Sequence, residues 1–158
     1  MWREIARKNK VISRDECIEL LTKETRGILS LNGDNGYPYA VPLNHYYEAE
    51  DGCIYFHSGR HGHKIDAIRD SDKASLCVVE KGVREAEDWA YTVRSVIVFG
   101  RIEVVEDAER VAEITARLSR KFTSNEEYIK EEITKFLKAT VLLKLTPEHM
   151  TGKRIKES

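Results

Sequence analysis

Two short turns, residues 32–36 and 50–52, separate three strand-like segments and leave no room for a helix between them. Both turns are rich in Gly, Asn and Asp, the residues that hairpin turns need. Parallel strands require a crossover connection of a dozen residues or more, so the three segments must pair antiparallel. The spacing therefore disfavours a doubly wound parallel sheet, and the chain contains neither a G-x-G-x-x-G nor a Walker loop.

Six strands and several helices are predicted along the chain. Pro42 lies inside the second strand and cannot donate a ladder hydrogen bond, so that strand must be an edge strand or bulged. Helices are expected after the capping box of Ser13 and Glu16, over residues 64–70, after Asp107, and after a second capping box that starts at residue 124. The predicted strands are residues 27–31, 37–47, 53–57, 74–80, 89–105 and 140–145, the last ended by Pro147. We expect one mainly β domain over residues 1–158, either a small barrel or an open sheet packed on helices.

Residues 54–64 begin as a strand and end as the first turn of a helix, and they collect groups that suit a phosphate. Two glycines allow the backbone to approach a ligand closely. The start of a helix offers free N–H groups and a partial positive charge, to which Arg60, His63 and Lys64 would add. The alternative is a surface turn with solvated basic side chains. The order of the elements around the turn favours the anion site.

The charge balance and the cysteines disfavour several classes of protein. With 26 basic and 27 acidic residues, the chain has no net field to attract nucleic acid or an anionic membrane. No apolar stretch approaches membrane-spanning length, and residues 1–4 lead into no signal segment. Three widely separated cysteines form no C-x-x-C pair, which disfavours zinc-ribbon and disulfide scaffolds and favours the cytoplasm.

Neither a metal site nor a set of catalytic side chains is predicted. His57, His61 and His63 could share a metal ion with Cys53, but no fourth ligand has a diagnostic spacing. We find no convincing nucleophile or acid–base pair. The charged residues between positions 126 and 132 fit a solvated helix face.

Four segments, in this order, resemble the FMN-binding split β-barrels related to pyridoxamine 5′-phosphate oxidase, and most closely the nitroimidazole-resistance branch. Residues 36–44 are similar to the family's second strand, and residues 52–64 to its phosphate turn. Residues 94–101 are similar to its long central strand, and residues 151–153 to its C-terminal motif. The resemblance implies a six-stranded antiparallel split β-barrel with Greek-key connections, which binds FMN. It also implies a homodimer with FMN at the interface.

The resemblance further implies a set of cofactor-binding residues. Ser58 and Lys64 would hold the phosphate with help from their neighbours in the turn. Residues 41–44 would lie along the isoalloxazine and bind its polar edge through backbone groups. Ser95 and Val96 would line the flavin, from the same chain or from the partner. The whole set comprises Val41, Pro42, Leu43, Asn44, Phe56, His57, Ser58, Gly62, His63, Lys64, Ser95 and Val96.

The tail, residues 149–158, departs from the family pattern. It lacks the tryptophan- and arginine-rich substrate signature of true pyridoxamine phosphate oxidases, which leaves the substrate open. The resemblance implies an FMN-dependent oxidoreductase of small molecules, nitroreductase-like or pyridoxamine-oxidase-like, with NAD(P)H as a candidate donor. One alternative is a flavin- or haem-binding storage or sensor module without turnover, in which His57 or His149 would be an axial ligand. Another is a dimeric structural barrel without a cofactor.

Overall fold

The computed structural model describes residues 1–157. In this part of the chain no helix combines the length and the apolar character needed to cross a membrane. The helices and strands, in chain order, are α1 (Arg14–Lys23), β1 (Arg26–Asn32), β2 (Pro38–Asn44), β3 (Tyr46–Glu48), β4 (Cys53–Gly59), α2 (His63–Asp70), β5 (Lys73–Val79), β6 (Thr92–Val105), α3 (Ala108–Ser119), α4 (Glu126–Phe136) and β7 (Thr140–Lys156).

These strands form one antiparallel sheet in the order β2-β1-β5-β6-β7-β4-β3. The two edge strands, β2 and β3, are consecutive in sequence and separated only by His45. The sheet must therefore curl until its edges meet, because one residue cannot bridge the width of a flat sheet of seven strands. The predicted fold, mainly β with helices and an antiparallel split barrel, is confirmed. So is the edge position of the strand that contains Pro42.

The sheet has seven strands rather than the predicted six, because the segment over residues 37–47 is two strands that meet at a corner. The corner is His45, which is completely buried and places its Nε2 atom 2.8 Å from the carbonyl oxygen of Leu21. Before the corner the chain pairs with β1, and after it with β4. The apolar pattern runs through both pieces, so it gave no sign of the change of partner.

Strand β7 continues to Lys156, whereas the prediction ended it before Pro147. The register between β6 and β7 shifts at Phe99 and Gly100, opposite Pro147. The residue that this bulge leaves unpaired is Glu148, so Pro147 lies at an irregular point of the ladder, where proline is tolerated. Gly100 permits the close approach, since a Cβ atom at that position would lie 2.2 Å from the carbonyl oxygen of Thr146.

The core has two parts, one on each side of β4. Alternate residues of a strand point to opposite faces, and Ile54 and Phe56 point into the barrel. Tyr55 points outward and packs under α3 with Ile114 and Leu142. The large core also includes one face of α1, the strand residues that line the barrel, and the apolar side of α2. Helix α3 thus covers the outside of β4, beside the place where the barrel closes.

Candidate functional site

The barrel closes along a seam between residues 39–44 of β2 and residues 57–64, which include the end of β4 and the start of α2. At one end of the seam the rings of Tyr39 and His63 stack with their centroids 4.1 Å apart. At the other end Asn44 and His57 line the same small cleft of about 170 Å³. The seam therefore brings the predicted ring-binding strand alongside the predicted phosphate turn.

Helix α2 begins at the seam without a side-chain cap. The preceding residue, Gly62, has a φ of 119°, a conformation that favours glycine, and nothing lies within 4 Å of where a Cβ atom would stand. Its carbonyl oxygen accepts hydrogen bonds from the amides of Ile65 and Asp66, at 2.9 and 3.1 Å. The amides of His63 and Lys64, at the start of the helix, have no carbonyl within the helix to bond to. These free amides could bind an anion, and the helix start is open on the glycine side.

Three basic residues near this helix start differ in what they contact. The Nε atom of Arg60 donates to the carbonyl oxygen of Lys138 at 2.6 Å, and its Nη1 atom lies 3.1 Å from a carboxylate oxygen of Glu106. The Nε2 atom of His63 lies 3.6 Å from the carboxylate of Asp34. Lys64 is half-buried and pairs with no carboxylate in residues 1–157. Its ammonium group is therefore the charge available to a ligand, whereas Arg60 turns away from the role predicted for it.

His57 lies on the outer face of β4, beside the phosphate turn. Partial desolvation by neighbouring groups, and secondly the positive charge of Lys64, lower the pKa of its imidazole from the ordinary value of 6.5, although the residue as a whole is exposed. The lowered pKa favours the neutral form of the ring. A neutral imidazole has one donor and one acceptor nitrogen, so it can orient a ligand by hydrogen bonds without adding charge.

The side chains of β2 alternate between the two faces of the sheet. Val41 and Leu43 pack against the barrel core, and Pro42 is exposed on the opposite face. Because β2 is an edge strand, its backbone groups on the side away from β1 have no strand partner. These groups can bind the polar edge of a planar ligand, which is the role that the family resemblance implies for residues 41–44.

Phe56 and Val96, two of the predicted cofactor-binding residues, have side chains that face the core. Ser95 and Val96 also lie far from the turn over residues 57–64 in the same chain. Phe56 and Val96 are completely buried, so only their backbones are available to a ligand. Ser58 pairs with Val141 of β7, and Ser95 pairs with a residue twelve positions further along that strand. Twelve residues span about 40 Å of strand. Within one chain, Ser58 and Ser95 are therefore far apart along the strand.

A larger cleft of about 460 Å³ adjoins the seam, between the end of β4 and the helices α3 and α4. The sequence analysis missed it and assigned the charges of α4 to a solvated face. Glu132 is instead half-buried in the cleft. The spacing of four residues from Tyr128 to Glu132 to Phe136 puts these side chains on one helical face and was the available signal. The lining residues are His57, Ser58, Gly59, Val111, Thr115, Ser119, Tyr128, Glu132, Ile133, Phe136, Leu137, Ala139 and Thr140.

Among the residues that the structure describes, no group of three His, Cys, Asp or Glu side chains is placed to hold a metal ion. The histidines of the turn diverge. His57 lines the clefts beside α3 and α4, whereas His63 stacks on Tyr39 at the other end of the seam.

Comparison with known proteins places the chain among relatives of one fold. Residues 13–154 match the family described as pyridoxamine 5′-phosphate oxidase. A structure described as a 5-nitroimidazole antibiotic resistance protein from Bacteroides thetaiotaomicron is 21% identical and has a TM-score of 0.74, covering 92% of this chain and 87% of that one. No curated protein matches the chain.

Two further solved structures carry a cofactor in their descriptions. An FAD-binding protein from Mesorhizobium loti is 25% identical with a TM-score of 0.64, covering 92% of this chain and 97% of that one. An FAD and haem binding protein from Mycobacterium smegmatis is 22% identical with a TM-score of 0.68, and the match covers 89% of this chain and 70% of that one. The same barrel therefore occurs in proteins described as flavin-binding.

Proposed function

The chain belongs to the pyridoxamine 5′-phosphate oxidase family, and from that premise we propose that it is a flavoprotein that binds FMN along the seam. The observation that carries the proposal is the helix start at Gly62, where α2 begins with free amides and no side-chain cap, and where Lys64 pairs with no carboxylate of residues 1–157. The phosphate of FMN is a dianion, which suits a helix N-terminus with a lysine beside it. The flavin-binding relatives support a flavin in general.

The residues of the seam fit the other parts of the cofactor. The hydroxyl group of Ser58 lies at the end of β4 and can donate to a phosphate oxygen. The unpaired backbone groups of residues 41–44 can orient the ring, and His57 can add a neutral hydrogen bond. Bound FMN would supply hydride or electron transfer, so the protein needs only to hold and orient the reactants.

We propose that the activity is oxidoreduction of small molecules. The protein reconstituted with FMN should lose its flavin colour when mixed anaerobically with NADPH or NADH. A quinone or a nitroaromatic compound should then restore the colour. If neither nucleotide bleaches the flavin, and no acceptor reoxidises the chemically reduced protein faster than free FMN, the function is storage or sensing rather than turnover.

We also propose that two copies of the chain form the site together. Four apolar side chains lie on the outward face of neighbouring strands and are 38 to 55% exposed: Ile28, Val79, Ile97 and Phe99. A contiguous apolar patch of this kind is typical of a protein interface. Ser95 lies on the same outward face as Ile97, two residues away, so a partner docked there could bring its own Ser95 towards the seam.

Light scattering tests the proposed dimer. The purified protein should have about twice the 18.2 kDa chain mass. Ile97→Glu should give a monomer with weaker FMN binding, because it buries a charge in the interface. Val83→Glu is the matched control, since Val83 is 66% exposed in the loop before β6. A wild-type monomer that binds FMN tightly would refute the shared site.

A further inference from the structure

The cleft between α3, α4 and the end of β4 has the size and the walls of a small-molecule pocket. Its volume of about 460 Å³ is within the range of ligand sites in proteins. Val111, Ile133, Phe136 and Leu137 give it an apolar lining. The flavin proposal assigns no role to these residues, so the cleft is available to a second molecule.

A buried hydroxyl group in the cleft has no partner. The Oγ1 atom of Thr115, in α3, is buried and forms no hydrogen bond with residues 1–157. A helical threonine commonly bonds the carbonyl four residues back, as Thr134 does with Lys130 at 2.8 Å. Leaving a buried hydroxyl unpaired is unfavourable. Because the atom is buried in the wall of the cleft, a ligand reaches it only when the Thr115 side chain rotates towards the cleft.

Glu132 is the one charged side chain among the described residues that line the cleft, and the ammonium of Lys135 lies outside the lining, 5.1 Å from the centroid of the Phe136 ring. Glu132 is half-buried there, and within the described residues it takes part in no ion pair, whereas Glu126 of the same helix pairs with Arg120. None of the described residues that line the cleft is Lys or Arg. An aromatic ring lies one helical turn on each side of Glu132, at Tyr128 and Phe136. Aromatic faces attract cations as well as other rings.

We propose that this cleft binds the substrate of the flavin and selects a small aromatic compound that carries a basic nitrogen. The nitrogen would face Glu132, and the ring would lie among the apolar side chains. His57 and Ser58 line the cleft and also belong to the seam, so a molecule in the cleft lies beside the bound flavin. The role as substrate pocket rests on the proposed flavin function.

Three indole compounds of similar shape test the charge preference: tryptamine, tryptophol and indole-3-acetate. Calorimetric titration into the full-length protein, with and without FMN, should rank tryptamine first and the acetate last. Tryptamine should bind about ten-fold more tightly than tryptophol, as expected for one charge-assisted hydrogen bond. Glu132→Gln should abolish this preference. Glu131→Gln should keep it, because Glu131 is exposed on the same helix.

A second pair of variants tests the hydroxyl without changing charge. Thr115→Val should weaken the binding of tryptamine several-fold, whereas Thr134→Val, on an exposed part of α4, should leave it unchanged. In the FMN-loaded protein, tryptamine should also shift the flavin absorbance bands.

The outcomes separate the two proposals. If FMN binds and tryptamine binds no better than indole-3-acetate, the pocket proposal is overturned and the flavin proposal stands. If tryptamine binds with the predicted ranking and FMN does not bind, the cleft is a ligand site but its role as a flavin substrate pocket is overturned. A tryptamine preference that survives Glu132→Gln contradicts the assignment of the basic nitrogen to that carboxylate.

Discussion

Arg60 and Lys64 lie four residues apart and carry the same charge, but their surroundings give them different roles. Arg60 bonds to Glu106 and to the backbone of Lys138, which are 46 and 78 residues away in sequence. Lys64, beside the start of α2, pairs with no carboxylate among residues 1–157. The sequence predicted that Lys64 stands at a helix start, because that is a local pattern. It gave no means to predict the partners of Arg60, because folding brings them together from distant segments.

The role of Lys64 can be measured with two ligands that differ by a phosphate. Lys64→Ala removes a charge-assisted hydrogen bond worth about 1.5–3 kcal/mol, so FMN affinity should fall about ten- to a hundred-fold. Riboflavin lacks the phosphate and should bind almost as before. Lys81→Ala, at an exposed position, is the control. Fluorescence titration of both flavins gives the answer, and equal losses for the two would show that Lys64 acts elsewhere.

Because His45 is buried, we expect the folded protein to lose stability in acid. Burial, and secondly the charge of Lys121, lower the pKa of its imidazole to about 4. In the unfolded chain the pKa of the imidazole returns to about 6.5. Between about pH 4 and pH 6.5, therefore, the unfolded state binds a proton at His45 that the folded state does not bind. Folding stability that is fully present above pH 6.5 should fall as the pH drops towards 4, by about 3 kcal/mol from this residue.

His45→Gln keeps a donor for the carbonyl oxygen of Leu21 but cannot titrate. Urea unfolding at several pH values between about 4 and 7 should therefore show a shallower loss of stability in this variant than in the wild type. Parallel pH profiles for the two proteins would contradict the assignment.

At the scale of elements, capping residues and turns predicted most boundaries, and strand pairing decided the remainder. Helix α1 has the predicted capping box at Ser13, whereas α4 is capped by Asn125, one residue later than expected. The corner at His45 and the continuation of β7 past Pro147 were not predictable from local pattern. Each depends on which strand lies alongside, and that is a property of the closed barrel.

The bulge between β6 and β7 should tolerate no side chain at Gly100. A Cβ atom there would lie 2.2 Å from the carbonyl oxygen of Thr146, and relieving this clash would require the backbone of β7 to shift. Gly100→Ala should lower the free energy of unfolding by about 3 kcal/mol. Gly59→Ala is the control, because nothing lies within 4 Å of its Cβ position, and it should change stability by less than about 1 kcal/mol. Urea denaturation measures the free energy of unfolding of both variants. If Gly100→Ala leaves that free energy unchanged, the bulge can rearrange.

For the whole molecule, the turn spacing of the first half was enough to predict an antiparallel sheet, and the family resemblance implied that the sheet is a split barrel. The candidate site was predictable as far as it follows chain order, which covers residues 41–44 and the turn from His57 to Lys64. The cleft formed with α3 and α4 was not, because Thr115 and Glu132 come from segments that meet only in the closed fold. The proposed two-chain site rests on strand register, which separates Ser58 from Ser95 in one copy.

Retention of FMN decides whether the protein is a flavoprotein. The purified chain is incubated with excess FMN and desalted, and the bound flavin is measured by absorbance against protein concentration. We expect about one FMN for each chain, held through desalting by the wild type and lost by Lys64→Ala. A colourless wild-type protein, with no detectable FMN affinity in a direct titration, would show that the seam is not an FMN site.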